Sequence, residues 1–345
     1  MADNAKFCQV CGTPVASPAP INQRPALHQT VRKTSFPIAV IVLIAILILA
    51  VVVAVVVILP IQPVNFNQQN EAVAGNINSV KLILDAGIAD VNLILRDLPG
   101  NRRVAVNISA TGWRGLFGPD QPLQLAFDEN TNNQILTYQI NVTRSEGWQI
   151  FNPIDVFCDV FVDPSSDLDL AVTTTTGTIS MYIDVNATIQ SLSFAATTGS
   201  VLARVNEGVI ISGNFSLEAT TGNVQLLWND AETSGKIPVN LETSTGLLDI
   251  NINQTRQFAG NVSLNAESTT GTINFAIDVQ NDVGVKISPS TTFGGIDIEQ
   301  NGFSGNEAPL QSDNYPAGSN FDVTLGATTG SINIAAKYQL GGTRS

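Results

Sequence analysis

AESTTGTINFAID (Ala266–Asp278) reads as two alternating segments meeting at a Thr-Thr-Gly turn. Near-copies of its centre end at Ile179, Val201, Val224, Leu248 and Ile332. Their glycines are Gly177, Gly199, Gly222, Gly246, Gly271 and Gly330, with a T-T-F-G-G-I variant at Gly294, and the spacings in chain order are 22, 23, 24, 25, 23 and 36 residues. A recurrence in the twenties marks stacked supersecondary units rather than isolated turns.

The register around each glycine is constant. Two residues on stands an aliphatic side chain: Ile179, Val201, Val224, Leu248, Ile273, Ile296 and Ile332. Three before it stands a small one: Thr174, Ala196, Ala219, Thr243, Ser268 and Ala327. Five before it come Val172, Phe194, Leu217, Leu241, Ala266 and Leu325. Alternation on both sides of the turn predicts two strands per unit, each with one face inward. Glycine suits a corner residue with positive φ, and the small neighbour leaves room for the bend. In a β-meander the triplet would be a hairpin loop, but hairpins favour Asn-Gly or Asp-Gly and do not ask for the same Thr-Thr each time. In a solenoid each corner lies on the last at about 4.8 Å, so identical threonines can stack as ladders. The pattern therefore predicts an all-β domain wound as a parallel β-solenoid.

The segment CDVFVDPSSDLDLAVTTTTGTISM (Cys158–Met181), followed by the Thr-Thr-Gly series, resembles the putative-adhesin family of right-handed β-solenoid domains. SVKLILDAGIADVNLIL (Ser79–Leu95) resembles that family's opening coil, with Gly87 at the corner. The resemblance spans roughly residues 76–337. It departs from the family after the corner glycine, where Thr, Ser, Asn or Leu stands in place of the usual Asp. Residues 101–148 fall outside the pattern and are expected as a loop-rich cap. The resemblance implies a right-handed coil and a surface protein that binds glycans, other proteins or copies of itself.

Between Pro37 and Pro60 lie 22 residues, all Ile, Leu, Val or Ala. As a helix they would extend about 33 Å, enough for a hydrocarbon core of roughly 30 Å. Their insertion is favoured by about 5–11 kcal/mol. Arg32 and Lys33 precede the run and no Lys or Arg follows until Lys81, which predicts a cytoplasmic N-terminus and an external C-terminal domain. A cleaved signal peptide is the alternative, but its apolar region is usually about 7–15 residues and ends at a small-x-small site. The expected layout is a stub at 1–16, a Pro-rich linker at 17–36, a transmembrane helix at 37–60, a linker at 61–75, the solenoid at 76–338 with regular coils from about 165, and a tail at 339–345.

Composition agrees with an exported surface protein. Charged residues make up only 13% of the 345 residues and the net charge is −13, which argues against nucleic acid as a partner of the main body. Of three cysteines, Cys158 lies in an alternating apolar segment and reads as a core thiol. Cys8 and Cys11 form a Cys-x-x-Cys-Gly knuckle, half of a zinc ribbon. Structural zinc takes four ligands, so this is either a half-site completed by a second chain or a remnant. His28, the sole histidine, could be a third ligand but has no fourth beside it.

Sequons at Asn107, Asn141, Asn186, Asn214, Asn253 and Asn261, all beyond the apolar run, mark candidate glycosylation sites. Trp113, Trp148 and Trp228 are candidates for a sugar-stacking platform, with Trp113, beside Arg114 and Phe117 in ATGWRGLFGPDQ, the first of them, and core packing is the alternative for all three. The lack of histidine beyond residue 28 removes His-based triads. Scattered carboxylates such as Asp249, Asp278 and Asp297 read as a solvated face. The sequence thus points to a non-enzymatic, membrane-anchored adhesin-like or structural protein. A transmembrane sensor with a zinc-binding stub is the second reading, and a carbohydrate-active β-helix enzyme the third.

Overall fold

The computed structural model describes residues 38–58, 62–114, 121–145, 154–280, 282–305 and 309–339. The chain divides into two compact units, Met1–Val52 and Val53–Ser345. Helix α1 (Ile38–Ile58) has 21 residues and no polar side chain, and every side chain described along it is exposed. Among the described residues no helix is long and apolar enough to cross a membrane. The N-terminal stub with Cys8 and Cys11, His28 and the first linker lie outside the described residues.

The second unit is built from strands. Its first seven are β1 (Gln62–Val73), β2 (Ser79–Asp85), β3 (Asp90–Leu95), β4 (Arg102–Arg114), β5 (Leu123–Asn132), β6 (Ile135–Arg144) and β7 (Ile154–Val162). The Thr-Thr-Gly series supplies β8 (Asp167–Thr176), β9 (Ile179–Ile183), β10 (Ala187–Thr198), β11 (Val201–Val205), β12 (Val209–Ile211), β13 (Phe215–Thr221) and β14 (Val224–Asn229). Beyond them β15 (Glu232–Gln254) and β16 (Ala259–Gln280) run unbroken through their corners. The remaining strands are β17 (Val283–Phe293), β18 (Ile296–Asn301), β19 (Phe303–Ser304), β20 (Leu310–Ser312) and β21 (Ser319–Gln339).

Strands entering the corners pair in parallel in the order β6, β2, β8, β10, β13, β15, β16, β21, β17. Strands leaving them pair in parallel as β7, β3, β9, β11, β14, β15, β16, β21, β18. Equivalent repeat positions lie side by side: Gly246 pairs with Gly271, and Gly271 with Gly330. The aliphatic residue two after each glycine and the apolar residue five before it are buried from Gly177 through Gly271 and at Gly330. Hydrophobic burial at alternate positions of every rung thus builds one continuous core. Trp228 lies inside it, edge-on to Phe215 and Phe321, and donates its Nε1–H to the buried Gln254 at 3.0 Å. Cys158 is also a core residue; burial, reinforced by Asp159, pushes its thiol up to about 12.

The corner explains why the glycine recurs. Gly199, Gly222, Gly246, Gly271 and Gly330 have φ between 137° and 154°, a region closed to most L-residues. A Cβ on Gly222 would stand 1.6 Å from the carbonyl oxygen of Gly199, and one on Gly246 1.8 Å from that of Gly222. Each corner carbonyl therefore fills the space that a side chain on the next corner would need. The amides also connect: Gly199 N–H donates to Thr221 O at 2.9 Å and Gly222 N–H to Thr245 O at 2.9 Å. The two threonines just before each glycine are exposed. The inward hydroxyl three before it is the one that bonds: Thr243 donates to Gly222 O at 3.1 Å, and Thr174 to Gly87 O at 3.0 Å.

Three expectations are corrected. Residues 61–75 are not a linker, because β1 occupies Gln62–Val73 and pairs antiparallel with β4. Residues 101–148 are not loop-rich, since β4, β5 and β6 lie there and β6 joins the parallel stack beside β2. The coils do not stack in chain order. After the Gly271 coil the chain skips one rung to make the Gly294 coil, returns through β19 and β20, and fills the vacant rung with β21. Strand β21 is thus interior, with neighbours on both sides, and the outermost coil is that of Gly294.

Replacing Gly222 by alanine adds a backbone clash to the roughly 1–3 kcal/mol of an unfavourable φ, so Gly222→Ala should cost more than about 3 kcal/mol. Thr221→Ala, at the exposed neighbouring position, should stay within about 0.5 kcal/mol. Urea titration of the two variants checks this, and equal midpoints would overturn the close-packed corner.

Candidate binding surface

With one side of each strand committed to the core, function is left to the outward rows. One row lies four residues before the corner glycines from Gly177 to Gly271 and continues to Asp85 on the first coil. Its members pair in register as Asp85, Thr173, Ala195, Glu218, Glu242 and Glu267. The next outward row, two before the glycine, holds Thr175, Thr197, Thr220, Ser244 and Thr269. Between the two rows the small buried residue draws the backbone inward. The result is a trough of about 400 Å³ walled by threonine hydroxyls and carboxylates.

The three glutamates stand on consecutive rungs, spaced about 4.8 Å apart by the sheet. Their neighbours orient the outer two: Ser216 Oγ donates to Glu218 Oε1 at 2.9 Å, and Asn265 Nδ2 donates to Glu267 Oε1 at 2.9 Å. Glu242 lies between them, and its carboxyl is held above the usual carboxylate range by desolvation first and by the charges of Glu218 and Glu267 second. Among the described residues no group of three or more His, Cys, Asp and Glu side chains is arranged to hold a metal ion. Alternating hydroxyls and carboxylates along an open groove suit a ligand rich in hydroxyl donors.

A second outward face follows the corners. Its rows carry amides and carboxylates that bond from rung to rung: Gln225 Nε2 donates to Asp249 Oδ2 at 2.8 Å, Asn333 Nδ2 to Asn274 Oδ1 at 2.8 Å, and Lys337 Nζ to Asp278 Oδ2 at 3.1 Å. Ala276 and Ala335 make a shallow floor there, bordered by Asp249, Asn274, Asp297 and Glu299. Of the carboxylates expected on a solvated face, Asp297 is exposed, whereas Asp249 and Asp278 are bonded to neighbouring rungs, which a single sequence could not reveal because the partners lie 24 or 59 residues away.

The sequence-derived sites do not converge. Trp113 is half-exposed, at 50%, near the end of β4 and opposite Pro63 of β1, so it stands in a strand and not in a loop. Arg114 closes β4, but its side chain and the whole of Phe117 lie outside the described residues, as does Trp148. Of the sequons, Asn186, Asn214 and Asn253 are exposed. Asn107 and Asn141 turn buried Oδ1 atoms into the sheet surface, and Asn261 Oδ1 accepts a hydrogen bond from Asn320 at 3.0 Å. The glutamate row was missed because nothing in one repeat marks it; only the constant offset of four from each glycine could have found it.

Raising a carboxyl's pKa in the folded state means that protonation favours folding. The repulsion at Glu242 is absent below its folded pKa and grows as pH rises through it. Glu242→Gln should therefore raise Tm by about 1–2 °C at pH 7 and leave it unchanged at pH 3, where the native side chain is already neutral. Calorimetry at the two pH values checks this; an equal shift at both would remove the electrostatic cause.

No protein-family model matches the chain. No curated protein sequence matches it. Three solved structures are similar in part. A "putative cell adhesion protein" from Clostridium sporogenes is 13% identical, with 79% of this chain and 100% of that one covered and a TM-score of 0.37. A "putative adhesin" from Bacteroides fragilis is 12% identical over 79% and 99% of the two chains, with a TM-score of 0.30. A "putative lipid binding protein" from Parabacteroides distasonis is 10% identical over 79% and 95%, with a TM-score of 0.28. The likeness is one of all-β character and says nothing about what this chain binds.

Proposed function

We propose that this chain is a single-pass membrane protein that displays a right-handed β-solenoid outside the cell and works by binding, not by catalysis, in an adhesin-like role. The observation that carries the anchoring is α1: 21 residues of Ile, Leu, Val and Ala with no polar face at all. A helix apolar on every side is at home only in a core or in lipid, and its described side chains are exposed. Parallel register from rung to rung supports the solenoid, and parallel crossovers are right-handed in about 98% of cases. Arg32 and Lys33 before the helix support an inward N-terminus, where Cys8 and Cys11 of two chains would share one zinc. The exposed sequons at Asn186, Asn214 and Asn253 are compatible with an external surface.

The binding role rests on the trough between Thr173 and Thr269. Hydroxyl and carboxylate groups repeated at strand spacing match the repeated hydroxyls of a neutral polysaccharide, which would lie along the stack and engage several rungs at once.

Two experiments test the two halves. In a bacterial host the full chain should stay with membranes through an alkaline carbonate wash, and protease added to intact cells should remove the β domain. A chain that washes off, or a β domain shielded in intact cells, removes the anchored reading. On an array of neutral polysaccharides, Ala195→Trp should fill the trough and weaken binding at least tenfold at unchanged Tm; undiminished binding would move the site elsewhere.

A further inference from the structure

The outermost coil is closed on one half and open on the other. The first half of β17, residues 283–287, is capped. Lys286 and Ile287 pair with Gln311 and Leu310 of β20, Val285 N–H donates to Ser312 Oγ at 2.8 Å, and Asn314 Nδ2 donates to Val283 O at 3.2 Å. Past the corner this protection stops. Strand β18 pairs with β21 on one side and, among the described residues, with nothing on the other.

Register identifies the free groups. Ile332 N–H donates to Gly295 O at 3.0 Å. In a parallel ladder alternate residues bond to the same neighbour, so the backbones of Ile296, Ile298 and Gln300 present their N–H and C=O groups outward. The side chains of the same edge are unfinished too. Ile296, which is buried at the equivalent place in the other repeats, is 38% exposed. Phe293, standing where the other repeats have threonine, is 70% exposed. Gln300 Oε1 is buried with no partner among the described residues. An apolar edge strand with a free hydrogen-bonding row is a template for another strand.

We propose that β18 takes an extended strand from a partner protein, in which Lys or Arg alternates with aliphatic residues. The outward side chains decide against a second copy. Asp297 and Glu299 share one face of β18. Antiparallel pairing of β18 with itself about Ile298 would set Asp297 opposite Glu299, and like charges directly opposite destabilise a sheet. A basic strand reverses that sign, and the chain already uses the same contact one and two rungs away, where Lys337 pairs with Asp278 at 3.1 Å. The aliphatic residues of such a strand would cover Ile296 and Ile298. This deepens the binding role proposed above by naming a partner class and a surface. It does not depend on the polysaccharide trough, so the two can fail separately.

The test uses the full chain in mild detergent and two synthetic nonapeptides, one alternating Lys with Ile and one alternating Glu with Ile. The Lys/Ile peptide should bind and slow amide hydrogen exchange at residues 296–301. The double variant Asp297→Lys/Glu299→Lys should weaken that binding at least tenfold and gain binding to the Glu/Ile peptide, with an unchanged melting curve. A Lys/Ile peptide methylated on the backbone nitrogens that face β18 should not bind. Binding that ignores the charge reversal, slowed exchange outside β18, or no binding at all would overturn the proposal. So would protection of residues 296–301 in the free protein that rises with protein concentration, since the edge would then belong to a second copy.

Discussion

The space above each corner glycine is already taken. A carbonyl from one rung lies where a side chain on the next would begin, so the rungs approach closely only if every corner lacks a Cβ. One glycine would serve a turn; the column exists because each depends on the one before it. Positive φ makes glycine favourable at such a corner, and the neighbouring carbonyl makes it the only residue that fits. The inward hydroxyls of Thr174 and Thr243 then donate to corner carbonyls and tie each coil to its neighbour.

Much of this was legible in the sequence, because it is periodic. The glycine, the aliphatic residue two later and the apolar residue five earlier carry a signal that repeats in register, and the strands and core follow from it. Three things were not legible. The order of the last two coils depends on which free rung a strand chooses, and the Gly294 and Gly330 repeats are alike enough to fit either place; only the longer interval between them hinted at an excursion. The strands β1, β4 and β5 lie across the stack's other end in antiparallel pairing, so they share no register with the repeats and looked like linker and loop. The ladder of Gln225 with Asp249 and of Lys337 with Asp278 joins residues that are distant in the chain.

The candidate surfaces follow from the same division of labour. Inward rows are fixed by packing, while the outward rows, the exposed corner threonines among them, are free to vary. Four residues before the glycine, that freedom produced three adjacent glutamates at a cost in repulsion seen at Glu242. After the corner it produced amides and a lysine that bond to acids or amides of the neighbouring rung, whereas at the last rung Asp297 and Glu299 have no rung beyond them. Trp113, which drew attention as an isolated aromatic in a glycine-rich stretch, belongs to neither surface.

The placement of β21 also ties the fold to the direction of synthesis. Strands leave the ribosome in order, and the earlier coils can stack as they emerge. The Gly294 coil cannot, because the rung beneath it is occupied by a strand made later. Until residues 319–339 are present, its apolar side chains have no floor, and the stack ends at the Gly271 coil with a bare edge. A polypeptide cut short before that point is left with a loose, exposed segment that proteases can recognise, whereas a complete one hides it. The displaced strand therefore acts as a proof of length: the Gly294 coil joins the stack only on molecules that have been translated through β21.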